Sequence, residues 1–511
     1  MSRAPAQLRG GLSGVATRGA AWSTLTFGVS KGLLLLTTIV LARVLEPADF
    51  GLLALALVVV LYLDVLGDLG VGPAVIQRRE TSEAGADRTA ATAVVLAVST
   101  GAVLTVLAAL CAPLLARVFD EPGLTGVVQV IALSFLLRMM GIVHKSRLAK
   151  ELQFARTAMP EITGALVKGG LSIGLAFAGA GVYSLAWGQV AGAAVTTCLY
   201  WAVSEWRFRP AVDRDIARAL LRFGVPVTLL GGLSATRTTM DQLIIGLQLD
   251  AEALGQYAIA FRLPELLVLH LCVLVSGALF ASYAKVSDDP DRLRRGYRSA
   301  LRLVSLITLP VGVGLALIAP DVIPLAFGPQ WEPAVPVMQL LALGAALNSV
   351  AFNVGDVYKA IGRVEVLNRL AVLYLAVAAP TLWLLAPSGI VAVAAGSLAL
   401  SAVFTVIRFA VASRIMRVPT RAILGELMPA VVATAGMAMC VAGVAVLLDE
   451  LPSGARLVLL VITGGITYVA ALAAVSRSTV RQVGALARSA WGRSSDGTGS
   501  DAITVTTRQA S

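Results

Sequence analysis

Apolar runs of roughly twenty residues recur along most of this chain, and that feature decides what it can fold into. A run of that length, as a helix, matches the hydrocarbon thickness of a bilayer. In lipid every backbone N–H and C=O needs an internal partner, so only helices or closed barrels can span. A barrel needs short segments of alternating polarity, and these are absent. Composition agrees, with 57% hydrophobic and only 14% charged residues, against roughly a quarter charged in average globular domains. The expected fold class is all-α integral membrane, with about fourteen transmembrane helices. The predicted spans are 19–42, 51–73, 90–116, 124–143, 158–179, 183–204, 223–247, 255–283, 300–319, 333–357, 367–386, 389–412, 427–448 and 457–475.

The net charge of +11 would suggest nucleic acid in a soluble protein, but its placement argues for topology instead. Most Lys and Arg fall in the N-terminal tail, the even-numbered connections and the C-terminal tail, whereas the odd-numbered connections hold only Arg43, Arg117 and Arg456. That alternation predicts a multi-pass protein of the cytoplasmic membrane with both termini cytoplasmic. The first apolar run, Ala20 to Leu41, is long enough to span and lacks a small-residue cleavage site, so it reads as helix one. The cysteines (Cys111, Cys198, Cys272, Cys440) are scattered without metal-ligand spacing and read as packing residues.

An internal repeat divides the chain. Leu45, Glu46, Gly51, Ala54 and Ala56 after span one align without gaps with Leu249, Asp250, Gly255, Ala258 and Ala260 after span seven. Thr24, Leu25, Gly28 and Ser30 likewise align with Thr228, Leu229, Gly232 and Ser234. Six helices separate the copies, which predicts two parallel six-helix lobes around a central cavity. The expected organisation is a cytoplasmic tail at 1–18, an N-lobe at 19–204, a cytoplasmic linker at 205–222 and a C-lobe at 223–412. Two accessory helices follow within 427–475, then a cytoplasmic tail at 476–511. In that tail Val475–Trp491 could lie at the interface as an amphipathic helix, and the Ser-, Thr- and Gly-rich Gly492–Ser511 reads as disordered.

Ionisable groups inside spans are costly and mark water-filled paths or partners. Lys31, Arg138, Lys168, Arg237, Arg262 and Arg408 lie inside spans, and Asp64, Asp68, Glu161, Asp241, Glu265 and Asp356 lie within them or at their ends. Arg237 and Asp241 stand one turn apart on span seven and can partly neutralise each other. If spans one and seven face each other, Lys31 and Arg237 supply positive charge near mid-membrane, suited to a phosphate or diphosphate. The competing reading is a structural Arg237–Asp241 pair, with Lys31 snorkelling to an interface.

Arg262 precedes Pro264, which breaks span eight; it reads either as a cavity residue or as a helix-end arginine. Glu161 and Lys168 are two turns apart on span five and share a face with an inward orientation. Asp64 and Asp68 read either as a gate ion pair or as solvated interface charges. The Gly170-x3-Gly174 and Gly188-x3-Gly192 spacings predict close helix packing. Asp288-Asp289-Pro290-Asp291 resembles a metal–nucleotide-sugar motif superficially, but it sits among Arg292, Arg294 and Arg295 and reads as a solvated charge run. No G-x-x-x-x-G-K-[ST] occurs, and His144 and His270 are too few for a metal cluster, so neither nucleotide hydrolysis nor a cofactor is expected.

Several segments, in order, resemble one known family. Leu41-Ala42-Arg43-Val44-Leu45-Glu46-Pro47-Ala48-Asp49-Phe50-Gly51-Leu52 is similar to the entry segment of polysaccharide-transporter (Wzx-type) flippases of the MOP superfamily. Asp68-Leu69-Gly70, Ala74–Arg78, Gly181-Val182-Tyr183-Ser184-Leu185-Ala186-Trp187-Gly188-Gln189, Asp241-Gln242-Leu243-Ile244-Ile245-Gly246, Leu254-Gly255-Gln256-Tyr257, Phe327-Gly328-Pro329-Gln330-Trp331 and Gly362-Arg363 match further landmarks. The resemblance covers about residues 20–415 and is nearest to the colanic-acid-exporter-like branch.

It implies a non-enzymatic flippase that moves an undecaprenyl-diphosphate-linked oligosaccharide between leaflets by alternating access. Its partners would be the lipid-linked oligosaccharide, the bilayer, and a polysaccharide polymerase and glycosyltransferases, with no nucleic acid. On that reading Arg237, Lys31, Asp241, Arg262, Arg138 and Lys168 line the substrate path, and Asp64, Asp68 and Glu161 are gate or ion-coupling candidates. A proton or Na+ gradient could drive the cycle, with Asp241 as the ion-sensitive group. Two alternatives stand beside it: a drug/cation antiporter of the same fold, which would favour an acidic or aromatic cavity, and a membrane glycosyltransferase or polymerase, which would want acids in a substantial outer loop.

Overall fold

The computed structural model describes residue 26 and residues 28–68, 82–151 and 153–475; at several positions inside helices it describes the backbone alone. The two tails, the 69–81 connection and the proposed interfacial helix at Val475–Trp491 therefore lie outside the described residues, apart from Val475 itself. Every regular element described is helical. In chain order these are α1 (28–44), α2 (Pro47–Asp68), α3 (Glu83–Val118), α4 (Leu124–Lys150), α5 (Phe154–Phe177), α6 (Val182–Val203) and α7 (Arg214–Gln248). Then come α8 (Ala251–Lys285), α9 (Pro290–Phe327) and α10 (Ala334–Ala360). The last are α11 (Val364–Leu385), α12 (Ile390–Met416), α13 (Thr420–Leu447) and α14 (Ser453–Val475).

Among the described residues ten helices are long and apolar enough to cross a membrane, and α7, bent by 41° between Pro226 and Gly231, makes an eleventh if counted as one span. The chain is thus a multi-pass membrane protein. Helices α1, α5 and α6 fall outside that group. Helix α5 carries Arg156, Glu161 and Lys168, the composition of a helix lining a polar space.

Side chains at the helix ends fix where several elements start. Ser82 caps α3, Asp213 caps α7 and Asp250 caps α8, each accepting a first-turn N–H that has no partner within its helix. Asp289 caps α9 through the N–H groups of Asp291 and Arg292, with Pro290 in the first helical position. The acidic run at 288–291 is therefore a helix start. The backbone donors also hold the Asp289 carboxyl below the usual carboxylate range. Pro264 breaks α8 as expected, and the chain continues through a π-turn at Glu265–Leu269 before resuming at His270. Helix α7 starts at Arg214, well before the predicted span, and its first turns (Ile216, Leu220) pack with Ala90, Val94 and Val143 of α3 and α4.

The core is shared at one end of the bundle and divided at the other. Near the α1–α2 and α7–α8 connections, a single cluster joins Leu41, Leu55, Ile131 and Leu185 with Ile245, Tyr257, Phe327, Trp331, Val337 and Phe404. Toward the opposite end the core separates. One cluster holds Ala90, Val94, Val143 and Ile216; another holds Tyr283, Tyr297, Leu301, Val350, Tyr358, Phe409 and Ile423.

Polar contacts seal the joined end. Arg43 donates to the carbonyls of Leu325 and Ala326 at the end of α9, where its charge also complements the helix dipole. Trp331 Nε1 and Gln330 Nε2 both donate to the Ala42 carbonyl, at 2.9 and 2.7 Å. The Trp331 ring meets Phe50 edge-on, with centroids 5.3 Å apart. At the start of α8 the Ala251 N–H donates to Glu121 Oε1 at 2.8 Å.

Helices α13 and α14 pack on α9 through Leu306, Ala430, Ala433 and Leu472 and are also tied by charge. The Glu426 carboxylate, 5% exposed, accepts from both Arg298 and Arg302 of α9. Arg456 of α14 lies 3.5 Å from Asp321 and 3.2 Å from Asp449.

Candidate functional site

A cavity of about 490 Å³ opens among the helices before the α6–α7 connection. Ser30, Asp64, Arg138, Lys145, Glu161, Lys168, Gln189, Thr196 and Tyr200 are among the polar residues that line it. Its walls depend on the close approach of α5 and α6. A Cβ at Gly192 would lie 2.8 Å from Lys168 Cβ, and one at Gly188 would lie 2.8 Å from the Lys168 carbonyl oxygen. Gly164 lies against Thr196 and the Gly192 carbonyl in the same way. The Gly188-x3-Gly192 spacing thus does what was expected of it. Gly170-x3-Gly174 does not: both positions face open space, and Gly169 is the residue that packs, against Thr37 of α1.

Two of the cavity's acids are already neutralised. Asp64 Oδ1 pairs with Arg138 Nη2 at 2.9 Å. Glu161 Oε1 accepts from Lys145 Nζ and from the Tyr200 hydroxyl, each at 2.7 Å. Lys168 is different, because among the described residues it forms no ion pair, and the charges acting on it are Arg262, Arg138 and Lys31. Glu265 and Arg262 act on Lys31 in turn, and Arg262 lies 3.5 Å from Glu265 where the π-turn of α8 begins. Four cations from α1, α4, α5 and α8 therefore gather around two carboxylates, Asp64 and Glu265. Concentrating like charge in a half-buried space is unfavourable unless something anionic occupies it.

The sequence placed Arg237 with Lys31 and paired it with Asp241, and the structure arranges both differently. Asp241 Oδ2 accepts from the Tyr257 hydroxyl of α8 at 2.7 Å, and its Oδ1 from the Gln242 N–H. Among the described residues Arg237 makes no ion pair with it. The Arg237 charge acts instead on Arg408 of α12 and Tyr374 of α11. Asp68 closes α2, and its side chain lies outside the described residues. Arg138, Lys168, Asp64 and Glu161 line one cavity, and Arg262 and Lys31 lie outside its lining but within electrostatic reach of Lys168.

Tyr200 is a participant that pattern reading passed over, and Glu265 was read only as one charge among several. Glu265 was visible as a charge in a span, but nothing local tied it to Lys31. Tyr200 gave no signal, since a tyrosine near a helix end is ordinary.

The family model described as polysaccharide biosynthesis protein matches residues 40–336. The chain is 29% identical over 350 residues to the lipopolysaccharide biosynthesis protein WzxC of Escherichia coli (strain K12), covering 68% of this chain and 70% of that one. It is 26% identical over 358 residues to the succinoglycan biosynthesis transport protein ExoT of Rhizobium meliloti (strain 1021), covering 69% and 70%. Among solved structures, the lipid II flippase MurJ in an inward closed conformation superposes with a TM-score of 0.70 at 14% identity, over 89% of this chain and 99% of that one. An inward-facing multidrug resistance MATE transporter of the MOP superfamily gives 0.63 at 16% identity, over 76% and 94%. At such identities the structural likeness concerns the fold.

Proposed function

Because this chain belongs to the polysaccharide biosynthesis protein family, we propose that it is a flippase for a diphosphate-linked oligosaccharide carried on a polyprenyl lipid. The observation that carries this reading is Lys168, a cation without an ion pair among the described residues, which lines a cavity with Arg138 and lies within electrostatic reach of Arg262 and Lys31. A diphosphate entering that space exchanges its water for charge-assisted hydrogen bonds, with the guanidinium forks of Arg138 and Arg262 and the Lys ammonium groups as donors. Asp64 and Glu265 orient the two arginines and offset part of the positive charge around Lys168. The lipid tail stays in the bilayer while the sugars follow the head group.

In this reading α1–α6 and α7–α12 are the two lobes, α13 and α14 are accessory, and the basic connections and both termini face the cytoplasm. The divided core then marks the cytoplasmic entrance, and the joined end marks a closed outer gate. Release to the outside requires the contacts of Arg43, Trp331 and Glu121 to part, as a two-state rocking of lobes does. Polymerase and glycosyltransferase enzymes act before and after this step. If an ion gradient drives the cycle, Asp241 with its Tyr257 partner is the group on which it acts. A cationic drug would meet Lys168, Arg138 and Lys145 in this cavity while its acids, Asp64 and Glu161, are already paired, which disfavours that alternative.

The test is glycan export in cells that depend on this chain, with Lys168→Ala, Lys168→Arg and wild type compared at matched membrane level. Export is expected to fall sharply with Ala and partly recover with Arg. Full export from Lys168→Ala would overturn the assignment of the cavity.

A further inference from the structure

The junction that holds α13 on α9 leaves positive charge over. Residues 288–302 and 414–426 meet where α9 and α13 begin and α12 ends, and together they carry eight arginines against four acids. Two of those acids are taken locally, Asp289 by Arg292 at 3.1 Å and Asp291 by Arg294 at 2.8 Å. Arg294 also donates to the Met416 carbonyl at the end of α12, at 2.7 Å, which ties the two segments together. Arg295, Arg414, Arg417 and Arg421 are exposed and make no ion pair among the described residues.

Glu426 organises the centre of this patch. Arg298 meets its Oε1 through Nε and Nη2, at 2.8 and 2.6 Å. Arg302 meets its Oε2 in the same way, at 2.7 and 2.5 Å. One buried carboxylate thus holds two guanidiniums side by side and leaves the Nη1 edge of each turned away from it. Both arginines are partly exposed, so these fixed edges reach the surface of the seam between α9 and α13. Two guanidiniums against one carboxylate also leave one positive charge, which a single monoanion would neutralise. Further along α13, Leu424, Met428 and Val432 form an exposed apolar stripe headed by Arg421.

We propose that Arg298 and Arg302 bind the phosphodiester of an anionic phospholipid, seated at the α9–α13 seam with an acyl chain along the apolar stripe of α13. This does not depend on the flippase reading; it needs only that these helices span a bilayer. A phosphodiester supplies the single negative charge that the Arg298–Glu426–Arg302 group lacks, and two guanidinium edges match two of its oxygens. Basic sites between transmembrane helices at the charged surface suit such head groups. The chain's own C-terminal tail does not suit the site. Beyond Val475 it carries Arg477, Arg481, Arg488 and Arg493 before its first acid, Asp496, and so adds to the attraction for an anion. Helices α13 and α14 stand outside the internal repeat, and a lipid bridging α9 and α13 helps to hold them on the bundle.

The test is binding to the purified full-length protein in an uncharged maltoside detergent, titrated separately with phosphatidylglycerol, phosphatidylcholine and inorganic phosphate, with the thermal midpoint followed alongside. Wild type is expected to bind phosphatidylglycerol saturably, with a rise in midpoint, and phosphatidylcholine about tenfold more weakly or less. Arg298→Lys and Arg302→Lys keep a cation beside Glu426 but remove one fork, and each should weaken phosphatidylglycerol by about tenfold. The double variant Arg298→Gln, Arg302→Gln should lose saturable binding. Arg222→Gln removes an exposed arginine of α7, whose first turns pack on α3 and α4, and should bind as wild type does. Equal affinity for the two lipids, or wild-type affinity in both Lys variants, overturns the site. A loss in Arg222→Gln as large as in the Lys variants would mean diffuse surface attraction and overturn it as well. Saturable binding of inorganic phosphate without a response to phosphatidylglycerol would assign the arginines to a free anion and overturn the lipid. A midpoint unmoved by saturating phosphatidylglycerol would overturn the bridging of α9 and α13.

Discussion

Gly51 of α2 lies against the Ala251 carbonyl at the start of α8, and Gly255 of α8 lies against the Pro47 carbonyl at the start of α2. Pro47 and Ala251 are themselves counterparts in the internal repeat, as are Gly51 and Gly255. The two copies therefore meet in a reciprocal contact, each glycine resting on the helix start that corresponds to the other's. Neither site has room for a Cβ, because the opposing atom is backbone and cannot swing away.

Gly51→Ala and Gly255→Ala are each expected to destabilise this crossing by about 1–3 kcal/mol, the usual cost of overpacking. Because the sites share one interface, the double variant should be less than additive. Thermal unfolding of the detergent-solubilised protein measures both. An unchanged midpoint in either single variant would mean that the helices do not approach so closely.

Asp64 and Arg138, 2.9 Å apart and each about one-third exposed, contribute at most about 1 kcal/mol to stability. If Arg138 also holds the substrate, the charge-reversed double variant Asp64→Arg, Arg138→Asp should fold and still fail to export. Recovery of export in that variant would reduce the pair to a structural bridge.

Glu426→Ala is expected to lower stability by up to about 3–5 kcal/mol, the range for stranding the partners of a buried carboxylate. The partial exposure of Arg298 and Arg302, 43% and 37%, favours the lower end. Glu426→Gln should be milder. Transport per folded molecule should stay near wild type in Gln, since these residues tie α13 to α9 away from the cavity; a large loss there would give α13 a part in transport.

Asp289 contributes to stability with a definite pH dependence. Its folded-state pKa is depressed, so its contribution is full above the unfolded value and disappears as pH falls through the folded one. The stability difference between wild type and Asp289→Ala should therefore be present at neutral pH and shrink in acid. A difference that grows in acid would contradict the capping role.

Much of the architecture was legible in the sequence, because the bilayer imposes a length on every apolar run. The described helices fall where those runs do, and several extend beyond them. Helix α9 begins at Pro290 although its apolar run starts near residue 300, because an amphipathic turn bearing Arg292, Arg295 and Arg298 continues the helix back to its Asp289 cap. Hydropathy reports the hydrocarbon-embedded part and is silent on such ends. The repeat was legible as well, and the Gly51–Gly255 crossing gives it a physical reason.

The site was legible one residue at a time. Lys31, Arg138, Lys168 and Arg262 each stood out as a charge within a span, but they come from four helices, and no spacing rule groups them. The Arg237–Asp241 pair failed because a local rule met a tertiary competitor: Tyr257 of the adjoining helix reaches the carboxylate and is satisfied there.

The most direct test of the central claim is transbilayer movement in proteoliposomes containing this protein alone and a polyprenyl-diphosphate-linked oligosaccharide, read by accessibility of the sugar to an external enzyme. The account predicts rapid movement with wild type. With Lys168→Ala it predicts a rate lower by roughly 10- to 100-fold, the equivalent of about 1.5–3 kcal/mol for a lost hydrogen bond to a charged group. A wild-type rate no faster than that of protein-free vesicles would contradict it.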